Sequence, residues 1–465
     1  MERQKWVRLD NASNIFLAAS TNSDTKVFRL SAEMAHAVDP GCLQKALDKV
    51  YDRYLLYHSV LRRGVFWYYL EMSELRPIVE EENVTPCTAL YHFDRKELLF
   101  RVLYRKKRIH LEVFHVLSDG TGALWFFEDV LKEYIFLRYP EEFSEMPQSE
   151  QDRMEQQLED SFSRYFRQQG PQSFTEAARS AYRSVVKTSK RAGRVAIHFG
   201  KKTSRYVRPS LKPMRKKKRV YRIKGEKTPD QRPRVVELSL PLQQVLPLAR
   251  QQNVSLMIYL TALFFEAIRK TSPDFRPNDT IVVSVPVNLR QFYTSSSARN
   301  FFSTTYLEYT YGQTEDTIEA ICENLNSQLK NSLSKEKLGQ RLNKLIASEY
   351  NPFGRVVLRP IKDVILKGIN RLNNRHLTVA ISNLGKVSFP ERMRDHIQQL
   401  FFLSSVARPQ FCMISYQDCL TVTFTSPFVD TAIQQAFVRL LSAQGVTVTA
   451  AVNQVTDREI EEGRR

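Results

Sequence analysis

The chain lacks long apolar runs. None of its 465 residues lies in a stretch of about 18 consecutive apolar residues, the length a membrane-spanning helix needs. The longest uncharged hydrophobic segment, VSLMIYLTALFF (254–265), stops at Glu266 and reads as a buried helix. The N-terminal MERQKWVRLDN has no apolar core behind its charges, so no signal peptide is expected. Cysteine is scarce. The five present (Cys42, Cys87, Cys322, Cys412, Cys419) form no C-x-x-C pair, which argues against a metal site and for a reducing compartment. A cytoplasmic protein is expected, with peripheral attachment to a membrane left open.

Acidic residues are nearly absent from one region. Between 161 and 234 stand 23 Lys and Arg against Glu176, Glu226 and Asp230, a balance of +20, while the whole chain carries +19. The rest of the chain therefore sums to 19 − 20 = −1, and the basic excess belongs to one insertion. Its core is KKTSRYVRPSLKPMRKKKRVYRIKGEKTPDQRPR (201–234), broken by Pro and Gly and preceded by an acidic block at 141–160. A solvated linker accounts for it, as would docking to an anionic membrane surface, an acidic carrier protein or the phosphates of a cofactor. No nucleic-acid-binding pattern accompanies the charge, so nucleic acid is not expected as a partner.

With 42% hydrophobic residues the chain can fill large cores. Hydrophobic periodicity divides it into 1–150, a charged linker at 151–234, and 235–465. The first part predicts a helix over 42–63 and strands at 64–71, 98–104 and 108–115, the last two joined by a charged turn. FWYY (66–69) reads as core strand. A helix follows from Thr121, with Leu124, Phe127, Leu131, Tyr134 and Ile135 on one stripe. In the last part strands are predicted at 234–240, 279–290 and 376–385, and a hairpin over 411–427 turning at Gln417-Asp418. Helices are predicted at 241–251, kinked by Pro247, at 255–269, capped by Ser255, and after Asp430. These are two α+β halves of comparable size, alike in element order but without a visible sequence repeat.

One histidine stands out. In RIHLEVFH (108–115) alternation puts Ile109, Leu111, Val113 and His115 on one face, so His115 ends an apolar row where the strand gives way to Ser-Asp-Gly and a helix. A neutral imidazole placed there can take a proton near pH 7, a role that typically contributes about 10²- to 10⁴-fold in rate. Asp119 has two readings, a helix cap or an ionised partner that stiffens the turn. Gly120 allows close approach of the backbone. His36, His58, His92, His110, His198, His376 and His396 have no spacing that gathers them around a metal, and no metal is expected.

HVLSDG (115–120), VPVNLR (285–290) with NFFS (300–303), and SNLG (382–385) follow one another in the order found in the CoA-dependent acyltransferase superfamily, which the chain resembles. That superfamily includes chloramphenicol acetyltransferases and nonribosomal-peptide condensation domains. VRLDNASNIF (7–16) and PLARQQNVSLMIYLTALFFEAI (247–268) look most like its alcohol acetyltransferase branch. The resemblance implies two chloramphenicol-acetyltransferase-like lobes forming a pseudo-dimer, with a tunnel between them and His115 midway along it. It implies that His115 is the general base, that Asp119 pairs with Arg290 to fix the loop, that Gly120 lies near the thioester, and that Asn383 and Gly385 line the tunnel. Phe114 stands where many members of the superfamily carry another histidine. Ser303, Thr304 and Thr305 are candidates for an oxyanion donor, against their reading as plain strand. The implied substrates are acyl-CoA, as co-substrate rather than resident cofactor, and a small alcohol or amine. An acyl carrier protein is the alternative donor, a monomer the expected state, and a non-catalytic binding protein the remaining reading.

Overall fold

The computed structural model describes residues 6–143, 219–342 and 374–456 apart from short gaps (22–23, 230–231, 335, 406), with Tyr165, Glu459 and a few residues of 363–370. The described elements belong to one unit of the chain, made of 1–161 and 219–465. Most of the basic insertion, including 201–218, lies outside the described residues.

The N-terminal half opens with β1 (Trp6–Arg8), α1 (Asn11–Ala19) and β2 (Val27–Met34). Helix α2 (Pro40–Arg53) starts where the sequence supplies a cap: the Asp39 carboxylate accepts from the Cys42 amide at 2.9 Å and Pro40 holds the first turn. The helix ends at Arg53 rather than at residue 63. The apolar run continues, but its period changes from 3.6 to 2. Tyr54 leaves helical geometry, Leu55–His58 form a single 3₁₀ turn, and Ser59–Arg63 become strand β3, which pairs with β4 (Tyr68–Met72). Residues 64–67, expected in the strand, form the β3–β4 turn, and Phe66 and Trp67 are exposed rather than core. Strands β1, β4 and β3 make a small sheet of their own.

Strands β5 (Val79–Glu81), β6 (Phe100–Arg105) and β7 (Arg108–Phe114) follow, then helix α3 (Gly120–Arg138). Ile109, Leu111 and Val113 of β7 are fully buried in one core with the apolar stripes of α2 and α3. The opposite face of β7 is polar and equally closed. Glu112 accepts from Arg29 at 2.7 Å, from Arg101 at 2.5 Å and from the Cys87 amide at 2.6 Å, which satisfies a carboxylate held out of water.

In the C-terminal half, β8 (Arg219–Val220), the tail of the basic stretch, pairs with Asp279 and Thr280, and Tyr221 beside it is buried. Strand β9 (Arg234–Pro241) leads into α4 (Leu242–Gln251), which contains Pro247, and α5 (Leu256–Thr271), whose Ser255 caps the amide of Ile258. Then come β10 (Asp279–Asn288), β11 (Phe302–Thr310), α6 (Ile318–Ser332), β12 (Val379–Val387), β13 (Ile397–Ser404), β14 (Gln410–Tyr416), β15 (Cys419–Ser426), α7 (Ala432–Ser442) and β16 (Thr449–Val452). The β14–β15 turn is at Gln417, which adopts positive φ, and Asp418, as expected.

The main sheet of this half runs β11-β10-β12-β14-β15-β9-β16, with β8 beside β10; α5 shares its second core. Strand β13 leaves this half and pairs with β2, giving the N-terminal sheet the order β13-β2-β7-β6-β5. The result is a mixed α/β, two-lobed fold in which each lobe packs helices against its own sheet and one strand ties the lobes together. Arg108 adds a polar tie, reaching Glu33 in its own lobe and Glu237 in the other at 2.8 Å.

Candidate active site

Strand β7 stops at Phe114, so His115 is no longer bound by strand alternation. Its amide donates to the carbonyl of Lys26 at 2.9 Å, which fixes the turn, and its ring enters a cavity of about 310 Å³. The far wall is one face of the main C-terminal sheet, and strand register explains which residues form it. Ser284 of β10 is opposite Tyr306 of β11, Pro286 opposite Thr304, and Asn288 opposite Phe302; Ser382 of β12 is opposite Cys412 of β14. All of these line the cavity. Their neighbours Val283, Val285 and Leu307 point the other way, into the second core. From the first lobe come Phe16, Lys26, Phe28, Asp119 and Gly120.

The imidazole is held on three sides. Phe16 stacks on it with ring centroids 4.0 Å apart, Phe28 meets it edge-on at 5.0 Å, and Phe302 lies at 5.7 Å. Its protonation pattern follows from Asn300. The Asn300 side-chain amide nitrogen donates to the carbonyl of His115 at 2.9 Å and to the Ser13 hydroxyl at 3.1 Å. A main-chain carbonyl only accepts, so this end of Asn300 is the NH₂ group and Oδ1 faces the ring, 3.1 Å from His115 Nδ1. Nδ1 therefore carries the proton, and Nε2 keeps its lone pair. Nε2 has no hydrogen-bond partner among the described residues. Ser13 extends the support by donating to the carbonyl of Val116 at 2.8 Å.

Burial pushes the His115 pKa down to about 4; the Asp119 charge, and then the Asn300 hydrogen bond, oppose that fall. The ring is thus neutral at pH 7, and a nearby carboxylate favours the cation that forms when it takes a proton.

Asp119 fills both roles that the sequence left open. One oxygen caps α3, accepting from the Gly122 amide at 2.9 Å. The other accepts from Arg290 Nη1 at 2.7 Å and from the Phe301 amide at 2.8 Å. Arg290 also donates to the carbonyls of Ser297 and Arg299, at 2.7 and 2.8 Å, and both members of the pair are buried. A single ion pair therefore joins the first turn of α3 to the loop carrying Asn300. Gly120 lies on the cavity wall, and a Cβ there would come within 2.8 Å of Leu384 Cδ2. Asn383 is on the wall as well. Gly385 is not among the lining residues; at φ +80° it forms the bulge in β12, its amide bonded to Asn383 Oδ1 at 2.8 Å. Of the three oxyanion candidates only Thr304 faces the cavity, whereas Ser303 and Thr305 are buried on the opposite side of β11.

Sequence reasoning missed Phe16 and Asn300 as site residues, although both lay inside stretches that carried the resemblance. It also missed Gly122, where a Cβ would sit 2.2 Å from the carbonyl of Ala298. Among the described residues no group of His, Cys, Asp and Glu could hold a metal ion, and no helix is long and apolar enough to cross a membrane.

A second hollow of about 1060 Å³ adjoins the first, with Asp24, Asn374, Leu377, Ala407 and Arg408 lining both. Arg222, Lys227, Lys367, Arg375 and Arg408 make this outer part basic. Arg408 lies at the junction, and burial lowers its pKa.

No protein-family model and no curated protein matches the sequence. Solved structures do match the fold. Polyketide synthase associated protein 5 from Mycobacterium tuberculosis is 15% identical, with a TM-score of 0.54 over 94% of this chain and 96% of that one. TRI3 trichothecene 15-O-acetyltransferase from Fusarium sporotrichioides is 9% identical, with a TM-score of 0.58 over 94% and 95%. A mutant starter condensation domain of rhizomide synthetase, in complex with C8-CoA and Leu-SNAC, is 11% identical, with a TM-score of 0.55 over 95% and 94%. The chain has the two-lobed fold shared by condensation domains and acyltransferases of the chloramphenicol acetyltransferase type.

Proposed function

We propose that the protein transfers an acyl group from a CoA thioester to an alcohol or amine, with His115 Nε2 as general base. What supports this reading is the contact of His115 Nδ1 with Asn300 Oδ1, which puts the proton of a neutral imidazole on Nδ1 and leaves the lone pair on Nε2, in a residue that lines a cavity walled by both lobes. A hydroxyl or amine bound there gives its proton to Nε2 as its heteroatom attacks the thioester carbonyl. The tetrahedral intermediate then expels the thiolate, which takes the proton back from Nε2, so the base is regenerated and free thiol leaves. Asp119 and Arg290 do not carry protons in this scheme; they hold the loops that present the ring. Thr304 and Asn383 are two of several wall residues with polar groups that could meet the acceptor or the thioester oxygen.

The basic outer hollow supports CoA as donor, since phosphate groups anchored there would leave the pantetheine arm directed toward His115. A carrier-bound phosphopantetheine shares that chemistry but offers a single phosphate. The alcohol acetyltransferase resemblance favours a hydroxyl acceptor. The test is acceptor-dependent thiol release from acyl-CoA, from acyl-pantetheine lacking phosphates, and from a loaded carrier protein. Acyl-CoA should be the donor with the lowest KM. A carrier-only reaction would overturn the CoA assignment, and no release from any donor would overturn the activity.

A further inference from the structure

The small β1-β4-β3 sheet contributes nothing to the cavity, yet its β3–β4 turn displays side chains that a merely solvated turn does not require. From Leu55 to Leu70 there is no acidic residue, and the turn reads Arg62-Arg63-Gly64-Val65-Phe66-Trp67. The Gly64 amide bonds to the carbonyl of Trp67 at 2.8 Å, which closes the turn and leaves Val65 68%, Phe66 38% and Trp67 45% exposed. On the adjoining strand β1, Trp6 is 47% exposed and meets Tyr69 edge-on at 6.3 Å. On the other flank Arg63 lies 4.8 Å above the ring of Phe93, itself 70% exposed. The Phe66 and Trp67 rings are 6.0 Å apart at the turn, and the hairpin's two flanks add Trp6, on the face of Tyr69, and Phe93, beside Arg63 on the other face, so five large apolar side chains are exposed at or next to the turn.

Two arginines stand at the base of the turn. Arg62 is paired with Glu71, whereas Arg63 among the described residues meets the Tyr91 hydroxyl and the Phe93 ring; of the nearby acids, Asp94 and Glu97 lie against Arg95 and His92, and Asp363 accepts from the Tyr68 hydroxyl at 3.0 Å. Aromatic side chains at a turn apex with guanidinium groups at its base suit one environment in particular. Indole and phenyl rings settle at the boundary between acyl chains and headgroups, while arginine lays its stem along apolar surface and keeps its charge at the phosphates.

We propose that the β3–β4 turn, with Trp6 and Phe93, is a docking element for an anionic lipid bilayer. It is independent of the chemistry assigned to His115. The full chain should float with vesicles of phosphatidylcholine and phosphatidylglycerol, less well with phosphatidylcholine alone, and Trp67 fluorescence should shift to the blue on binding. Phe66→Ser with Trp67→Ser should weaken partitioning by about tenfold or more, from the apolar area withdrawn. Arg62→Gln with Arg63→Gln should remove the preference for the anionic lipid. A circular-dichroism melt identical to that of the parent establishes that each variant is folded. Vesicle binding that persists in a folded Phe66→Ser, Trp67→Ser variant would move the contact to the basic sequence at 201–218 and overturn the proposal. So would a parent that ignores vesicles, or one that elutes as a dimer which the double variant dissociates.

Discussion

Replacing Asn300 by Ala tests the tautomer argument without touching the imidazole. The substitution removes three hydrogen bonds, of 3.1, 2.9 and 3.1 Å, to His115 Nδ1, the His115 carbonyl and the Ser13 hydroxyl. A typical net value near 1 kcal/mol for each, with the buried carbonyl left to find water, gives a loss of about 2–4 kcal/mol in stability. The kinetic effect is separate. Without Oδ1 the ring is free to carry its proton on Nε2, the wrong nitrogen, and to turn away from the cavity, so kcat should fall by about 10- to 100-fold. The pH profile distinguishes this from general damage. With the base held near pKa 4, kcat/KM of the parent should rise with pH through about 4 and be flat at 6.5. Asn300→Asp places a carboxylate against Nδ1, stabilises the imidazolium, and should move that limb upward, toward or past 6.5. A fully active Asn300→Ala enzyme, or an Asn300→Asp limb that stays near 4, would refute the reasoning.

Two further expectations concern the scaffold. Asp119→Ala and Arg290→Ala should each cost about 3–5 kcal/mol in denaturant melts, because each strands a buried charge, and the double variant should fall short of the sum by about 1–3 kcal/mol; strict additivity would contradict a shared ion pair. Gly122→Ala should destabilise by about 3 kcal/mol or more, since the Cβ would meet the Ala298 carbonyl at 2.2 Å and Ser118 Oγ at 2.5 Å, and an unchanged melting temperature would contradict that contact.

How much of this was legible in the sequence depended on how local the cause was. The strand predicted at 108–115, which ends at Phe114, the cap that was one of two readings of Asp119, the Ser255 cap and the turn at Gln417 are decided by residues next to one another, and they were readable. The transfer of β13 to the other lobe's sheet was not, because pairing with β2 is a long-range event that IQQLFFLS does not announce. The end of α2 was misplaced because apolar residues continued through a change of period. FWYY misled for a different reason: its composition is that of a core strand, but Gly64 turns the chain before Tyr68, and Phe66 and Trp67 reach solvent. Of the residues around the cavity, His115, Asp119 and Arg290 were singled out through motif order. Asn300 and Phe16 were not, since neither has a chemistry that draws notice until the fold sets it beside the imidazole.

The account rests on the lone pair of His115 Nε2 facing a space shared by both lobes. Acceptor-dependent thiol release from acyl-CoA by His115→Ala, in protein whose melting curve shows it folded, tests this most directly. A loss of about 10²-fold or more in kcat is predicted; release at the parent's rate would contradict it.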